Sequence, residues 1–342
     1  MRKNRLAYTI LSLLVTIVLM GLLFSRIRAG EFIQTLRNIH LPFVLIFIAI
    51  AVFNMCLRAW RYKWILEPNP ISFKNILYVT LIRNVFVDFL PARLGSLSYI
   101  YVLNKRLGFS FETAASSFVV TFIFDFLTLS PFLIAAIFAV GLGTTQISTL
   151  ALLLVSALFF FMIFLVMWKL EMLGSWLLRI CQSLLKKFRL TDRHWTSVLV
   201  QKWHSTLADL ERIRKRGIYW RLFGLSVLIR SAKYGALYFL LASLLKSHGI
   251  RTAQLSLWKT ILGITGAEMT AMFPIKGLGG FGTWESAWAL TFQMMNFDAN
   301  LAILSGLGVH LITNLFEYTL GIAAILILVW PYLKKKTSKI KE

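Results

Sequence analysis

Two positive charges stand inside stretches that are otherwise apolar. Arg93 and Lys276 each follow a proline by two residues, Pro91 and Pro274, and a Leu-Gly pair comes after each, at Leu94 and Leu278. A cation at membrane depth costs roughly 2.5 to 3.5 kcal/mol on insertion scales, so it is kept where an anion or carboxylate meets it. Acidic residues in the same apolar regions are Asp88, Asp125, Glu268, Glu285 and Glu317. The chemistry open to such a set is the binding of a charged group away from bulk water. Helix starts near Ser96 and Thr283 would add free amides and partial positive charge, which suits a phosphate. The candidate substrate-binding residues are therefore Arg93, Lys276, Glu285, Arg83, Asp125, Glu268, Ser96 and Thr283. A competing reading pairs Arg93 with Asp88 and Lys276 with Glu285, as struts that hold the backbone in shape.

The elements that must position these residues are broken. Between Phe273 and Glu285 a proline and Gly277, Gly279, Gly280 and Gly282 interrupt two apolar segments. Backbone turning with unpaired amides at membrane depth is tolerated only where it lines a protein cavity or a watery site. Residues 89–96 repeat the order proline, cation, Leu-Gly, so the two stretches read as equivalent elements of a duplicated protein. Later in the chain His310, Asn314 and Glu317 fall at i, i+4 and i+7, on one helix face. Glu317 and His310 are candidates for proton coupling; pairing of the stripe with Arg230 and Lys233 is the structural alternative.

The 342 residues are 58% hydrophobic, with a mean hydropathy of +0.73, too apolar for a soluble domain. The chain reads as an all-α integral membrane protein. Its net charge of +23 would suggest nucleic acid in a soluble protein. Here the Lys and Arg cluster between apolar segments and at the ends, so membrane orientation and anionic lipid explain them and no nucleic-acid partner is expected. Cys56 and Cys181 are far apart and imply neither a disulfide framework nor a metal site. No cofactor is expected.

A crossing needs about 20 apolar residues. Six stretches qualify, 6–25, 41–60, 114–140, 147–168, 220–245 and 301–330. Regions 73–103 and 255–297 each carry one of the breaks, and their second arms are short for a crossing. They read as two re-entrant helical hairpins. Arg2, Lys3 and Arg5, then Arg58, Arg61, Lys63 and Lys74, then Lys105 and Arg106, then 169–221 and the tail from Lys334, all place positive charge on one side, taken as the cytoplasm. The first hairpin then enters from the cytoplasm and the second from outside, an inverted repeat of the kind found in transporters. Eight full spans would give the same sidedness.

One polytopic domain results: a first half over 6–168, a basic amphipathic cytoplasmic segment over 169–219, a second half over 220–330 and a basic cytoplasmic tail over 331–342. Within the segment, Leu173, Trp176, Leu177, Ile180 and Leu184 recur at helical spacing with Arg179, Lys186 and Lys187 off that face. Trp195, Leu199, Trp203, Leu207 and Leu210 do the same. Two helices lying on an anionic leaflet, or a solvated connector, fit this pattern.

The run from Leu90 to Gly95, the acidic Asp125 and the run from Gly279 to Glu285 after Pro274 resemble the flippase-like transmembrane region of lysylphosphatidylglycerol synthases and its stand-alone relatives, over nearly the whole chain. The resemblance implies a bacterial or archaeal polytopic protein of the cytoplasmic membrane that moves lipids between leaflets. Ser96 stands where the family often has Glu, and Thr121 and Phe122 stand in place of an acidic-basic pair, departures that bear on substrate more than on fold. Only a basic tail follows Trp330, so no aminoacyltransferase activity is expected.

No phosphate-loop motif or zinc-binding His pair is present. The expected function is a lipid flippase for a phospholipid, an aminoacylated lipid or a polyprenyl-linked head group, with no enzyme activity. The alternative is a non-transporting scaffold that recruits a lipid- or glycan-modifying enzyme. Expected partners are a lipid with a phosphate head group, anionic lipids at 169–221, and a second copy of the chain or an enzyme.

Overall fold

The computed structural model describes residues 2–89, 95–140, 154, 157–158, 160–162, 164–165, 168–187, 194–270, 273 and 275–341. The backbone alone is described for 2–8, 88–89, 170–171, 194–195 and 329–341. Among the described residues twelve α-helices are bounded, in order: α1 Arg2–Phe24, α2 Ala29–Arg37, α3 Leu41–Leu66, α4 Phe73–Phe89, α5 Ser98–Leu107, α6 Phe111–Val140, α7 Leu170–Lys187, α8 His194–Lys215, α9 Tyr219–Leu245, α10 Leu257–Met269, α11 Thr283–Met294 and α12 Ala299–Lys341. No strand occurs among the described residues.

Among the described residues four helical stretches, Leu41–Leu66, Phe111–Val140, Tyr219–His248 and Ala299–Leu328, are long and apolar enough to cross a membrane. A fifth crossing is available if Thr9–Phe24 and Ala29–Arg37 are one span bent by 84°. The bend has a sequence cause, since Ser25, Arg26 and Arg28 end the apolar run and α2 carries Glu31 and Arg37. Of the six expected spans, 147–168 falls largely outside the described residues. The span expected at 41–60 is longer, because α3 continues helically to Leu66. The tail beyond 330 continues α12 as helix to Lys341.

The helix ends sort into two sets. At one, Thr35 Oγ1 lies 2.9 Å from His248 Nε2 and the His40 amide donates to the Ser243 carbonyl at 3.1 Å. At the other, Arg216 donates to the carbonyls of Ile65 and Glu67, Lys202 pairs with Glu112, and Thr113 donates to Asp209. The loops that the charge pattern assigns to opposite sides are thus gathered at opposite ends.

The two interrupted regions are helix-break-helix units. At 1.5 Å per residue α10 and α11 are about 20 Å and 18 Å long, short of a hydrocarbon core of about 30 Å. They run antiparallel: Lys259 Nζ donates to the Met295 carbonyl, Gly263 faces Phe292 and Gly266 faces Thr291. Between them Gly279, Gly280 and Gly282 have φ of 63°, 82° and 85°, a region costly for other residues. Thr16 on α1 fastens this turn, its hydroxyl accepting from the Leu278 amide at 2.7 Å. In the earlier unit Gly95 packs directly on the backbone of Phe86 and Val87 at the end of α4. Pro91, Arg93 and the rest of 90–94 lie outside the described residues, as does Pro274.

Packing joins the halves. One apolar core, with Leu240, Leu244, Ile264, Trp288 and Leu307, holds α9 to α12 together with Phe47 of α3. A second, with Tyr62, Ile76, Val79, Tyr99 and Leu103, holds α3 to α5 and reaches Ala324 of α12. Helices α4 and α12 meet closely at Gly321, where an added Cβ would lie 2.0 Å from Val85 Cγ2. Small residues at such crossings are what membrane helix packing uses.

Candidate functional site

A cavity of about 260 Å³ opens at the middle of the bundle, between the two cores. Asn54, half way along α3, lies on its wall, as do Ser226 and Arg230, near the middle of α9. Both breaks reach it: Asn84, Val87 and Ser96 flank the first, and Glu268, Met269 and Trp284 flank the second.

The wall is built from ion pairs. Arg61 Nη1 lies 2.8 Å from Asp125 Oδ1 and donates to Ser226 Oγ at 2.8 Å, tying α3 to α6 and α9. Arg61 is 1% exposed, which demands a partner, whereas the Asp125 side chain is 28% exposed and lines the cavity. Glu268 of α10 pairs with Lys233 and, at 3.8 Å, with Arg230. Arg230 Nη2 also donates to the Asp125 carbonyl at 2.5 Å. Arg58 donates from Nε to Asn54 Oδ1 at 2.8 Å and is within electrostatic reach of Arg83, Arg61, Asp125 and Glu317. Glu317 and Arg83 line the same space.

A second charged cluster adjoins the first, and its carboxylate is closed off from the cavity. Glu285 is fully buried; its Oε2 accepts from the Gly282 amide at 2.8 Å and its Oε1 lies 2.6 Å from His310 Nδ1. Asn314 Nδ2 lies 3.0 Å from His310 Nε2. Every atom is satisfied if Asn314 donates to Nε2 and the ring donates from Nδ1 to the carboxylate. Trp284 stacks on the imidazole, with ring centroids 4.7 Å apart. The carboxylate therefore occupies an amide at the start of α11, the place where the sequence reading put a ligand anion.

Of the residues expected to bind substrate, Arg83, Asp125, Glu268 and Ser96 line the cavity. Lys276, Glu285 and Thr283 do not lie on its wall. Lys276 is 3% exposed and donates from Nζ to the Val87 carbonyl at 3.2 Å, bridging the two breaks. Thr283 closes its own turn by donating to the Gly280 carbonyl at 2.9 Å. Arg93 lies outside the described residues, and so do its side-chain relations to Asp88. His310 and Glu317, the proton-coupling candidates, both reach the cavity. Pairing of the stripe with Arg230 and Lys233 is corrected for His310 and Asn314: these join Glu285, while Arg230 and Lys233 go to Glu268.

Arg58 and Arg61 were read as charges flanking the second span, and they are instead part of α3 and of the site. The signal was present, since Trp64, Ile65 and Leu66 continue the apolar face one turn beyond Arg61. Asp125, His310 and Glu317, which an intramembrane enzyme would need to gather, do meet at this cavity. Among the described residues, however, no group of three or more His, Cys, Asp or Glu is placed to hold a metal ion.

The arrangement can bind a charged group at mid-bundle and meet it with side chains already held in place by one another. Comparison with curated proteins finds no match. A family match does exist, to the lysylphosphatidylglycerol synthase transmembrane region, and it runs over residues 9–321, across both breaks and every helix that lines the cavity. The chain is thus a multi-pass membrane protein that belongs to the lysylphosphatidylglycerol synthase transmembrane-region family.

Proposed function

We propose that this protein moves a lipid between the leaflets of a membrane, holding the head group in the central cavity while the acyl chains stay in lipid. The observation that carries the reading is the cavity itself: a space lined by fixed charges at the middle of a membrane bundle, where two broken helices converge. Charged residues at that depth are costly and mark substrate pathways. Membership of a family named for a lipid synthase's membrane region gives the same direction.

In this reading the two helix-break-helix units are re-entrant hairpins entering from opposite sides, and rocking of one half against the other changes access to a fixed midplane site. Both termini lie in the cytoplasm, in the cytoplasmic membrane of a bacterium or archaeon. The protein has no catalytic activity of its own, and movement is passive, ion-coupled or assisted by a partner. Support for a peripheral contact comes from α7, whose Met172, Trp176, Leu177, Ile180 and Leu184 are exposed beside Arg179, Lys186 and Lys187. That face lies on anionic lipid at the cytoplasmic surface.

Leaflet exchange of labelled lipids in vesicles containing the purified protein tests the reading. Exchange by wild type that is lost in Glu268→Gln and Arg230→Gln, with folding intact, supports it. Exchange by neither wild type nor variants, across phospholipids and polyprenyl phosphates, overturns it in favour of a scaffold.

A further inference from the structure

The charges around the cavity do not cancel. Arg58, Arg83, Arg230 and Lys233 line it with Arg61 directly behind, and the facing carboxylates are Asp125, Glu268 and Glu317. Five cations against three acids leave two positive charges in excess among the described residues. Asp125 is taken by Arg61, and Glu268 by Lys233 and Arg230. Glu317, the third carboxylate, is within electrostatic reach of Arg58. Among the described residues Arg83 Nε is buried without a hydrogen-bond partner, and so is the hydroxyl of Thr313, on the facing α12. Buried donors are almost always satisfied, so two orphans on one cavity wall call for an acceptor from outside the protein.

Resting on the lipid-transport reading, we propose that the cavity seats a phosphate monoester, a dianion, at Arg58 and Arg83, with Thr313 donating a hydrogen bond. A cavity wall with two positive charges in excess, in a region of low dielectric, is matched by a group carrying two negative charges. A diester brings one, and a zwitterion brings none. Guanidinium groups also offer the forked donors that phosphate oxygens accept. At about 260 Å³ the space is just below that of pockets for drug-sized ligands, so it admits a compact head group. The substrate class is a lipid that ends in a bare phosphate.

Binding of short-chain phosphatidic acid, matching phosphatidylglycerol and inorganic phosphate to the purified full chain in nanodiscs, at pH 8 where the monoester carries both charges, tests this. The expected result is a preference for phosphatidic acid over phosphatidylglycerol of about tenfold or more. Arg83→Gln and Arg58→Gln lose that preference, and Arg83→Lys keeps most of it, which separates a charge seat from a packing role should one Gln variant fail to fold. Equal binding of the two lipids overturns the monoester assignment and leaves the transport reading standing. Binding of inorganic phosphate with neither lipid overturns it in favour of a soluble anion. Absence of leaflet exchange for every lipid sinks the transport reading itself.

Discussion

Two acidic clusters lie side by side along α12, and they differ in one respect. Glu285 is sealed: its oxygens are taken by the Gly282 amide and His310, and Trp284 covers the imidazole. Glu268 and Asp125 are equally tied to cations, yet their side chains keep 18% and 28% exposure toward a shared space. Depth in the membrane and presence of charge are common to both clusters. Access is what separates them, so the first reads as a fastening of the α11 turn and the second as a site.

The comparison breaks if removal of a sealed charge and removal of a cavity charge have the same consequences. The largest effect is expected at Asp125, which belongs to both kinds. Asp125→Ala strands the buried Arg61, and loss of about 3 to 5 kcal/mol follows, read as a lowered melting temperature and poor yield. Next comes Glu285→Gln, which keeps the shape but weakens bonds to an amide and an imidazole. A loss of about 1 to 3 kcal/mol is expected. Exchange per folded molecule should stay within twofold of wild type, on the order of the 0.4 kcal/mol scale of a peripheral change.

Glu268→Gln should invert that pattern. Lys233 and Arg230 keep 28% and 11% exposure toward the cavity, so neither is stranded as Arg61 would be; stability falls by about 1 kcal/mol, while exchange drops about tenfold. If Glu285→Gln abolishes exchange and Glu268→Gln does not, access was the wrong criterion. The smallest effect belongs to α7: Trp176→Ser changes stability by about 0.5 kcal/mol or less, because the side chain is 52% exposed. The difference in tryptophan quenching by brominated anionic lipid between wild type and Trp176→Ser reads the surface contact.

Much of the architecture was legible from spacing. The apolar lengths of α3, α6, α9 and α12, the glycine turn before α11 and the amphipathic period of α7 and α8 are local properties, and each appears where the pattern placed it. The end of α3 was misread at Trp60, because Arg58 and Arg61 look like flanking charges until Asp125 and Asn54 are beside them. Among the cavity-lining residues, Asp125, Glu268, His310 and Glu317 answer to a single rule, that charge or polarity inside an apolar run needs a reason, whereas Ser96 was chosen as a helix start. The same rule also selected Lys276 and Glu285, which are fastened within the protein.

By itself the sequence determined the helical membrane class and the two breaks, because hydrophobic length and glycine or proline punctuation act within one turn or one span. Only the tertiary structure decided which charges neutralise one another. Arg61 and Asp125 are separated by 64 positions and Glu285 and His310 by 25, and nothing in their spacing sets them in contact. Pairing in a region of low dielectric depends on distances of a few ångströms across different helices, which no local pattern encodes.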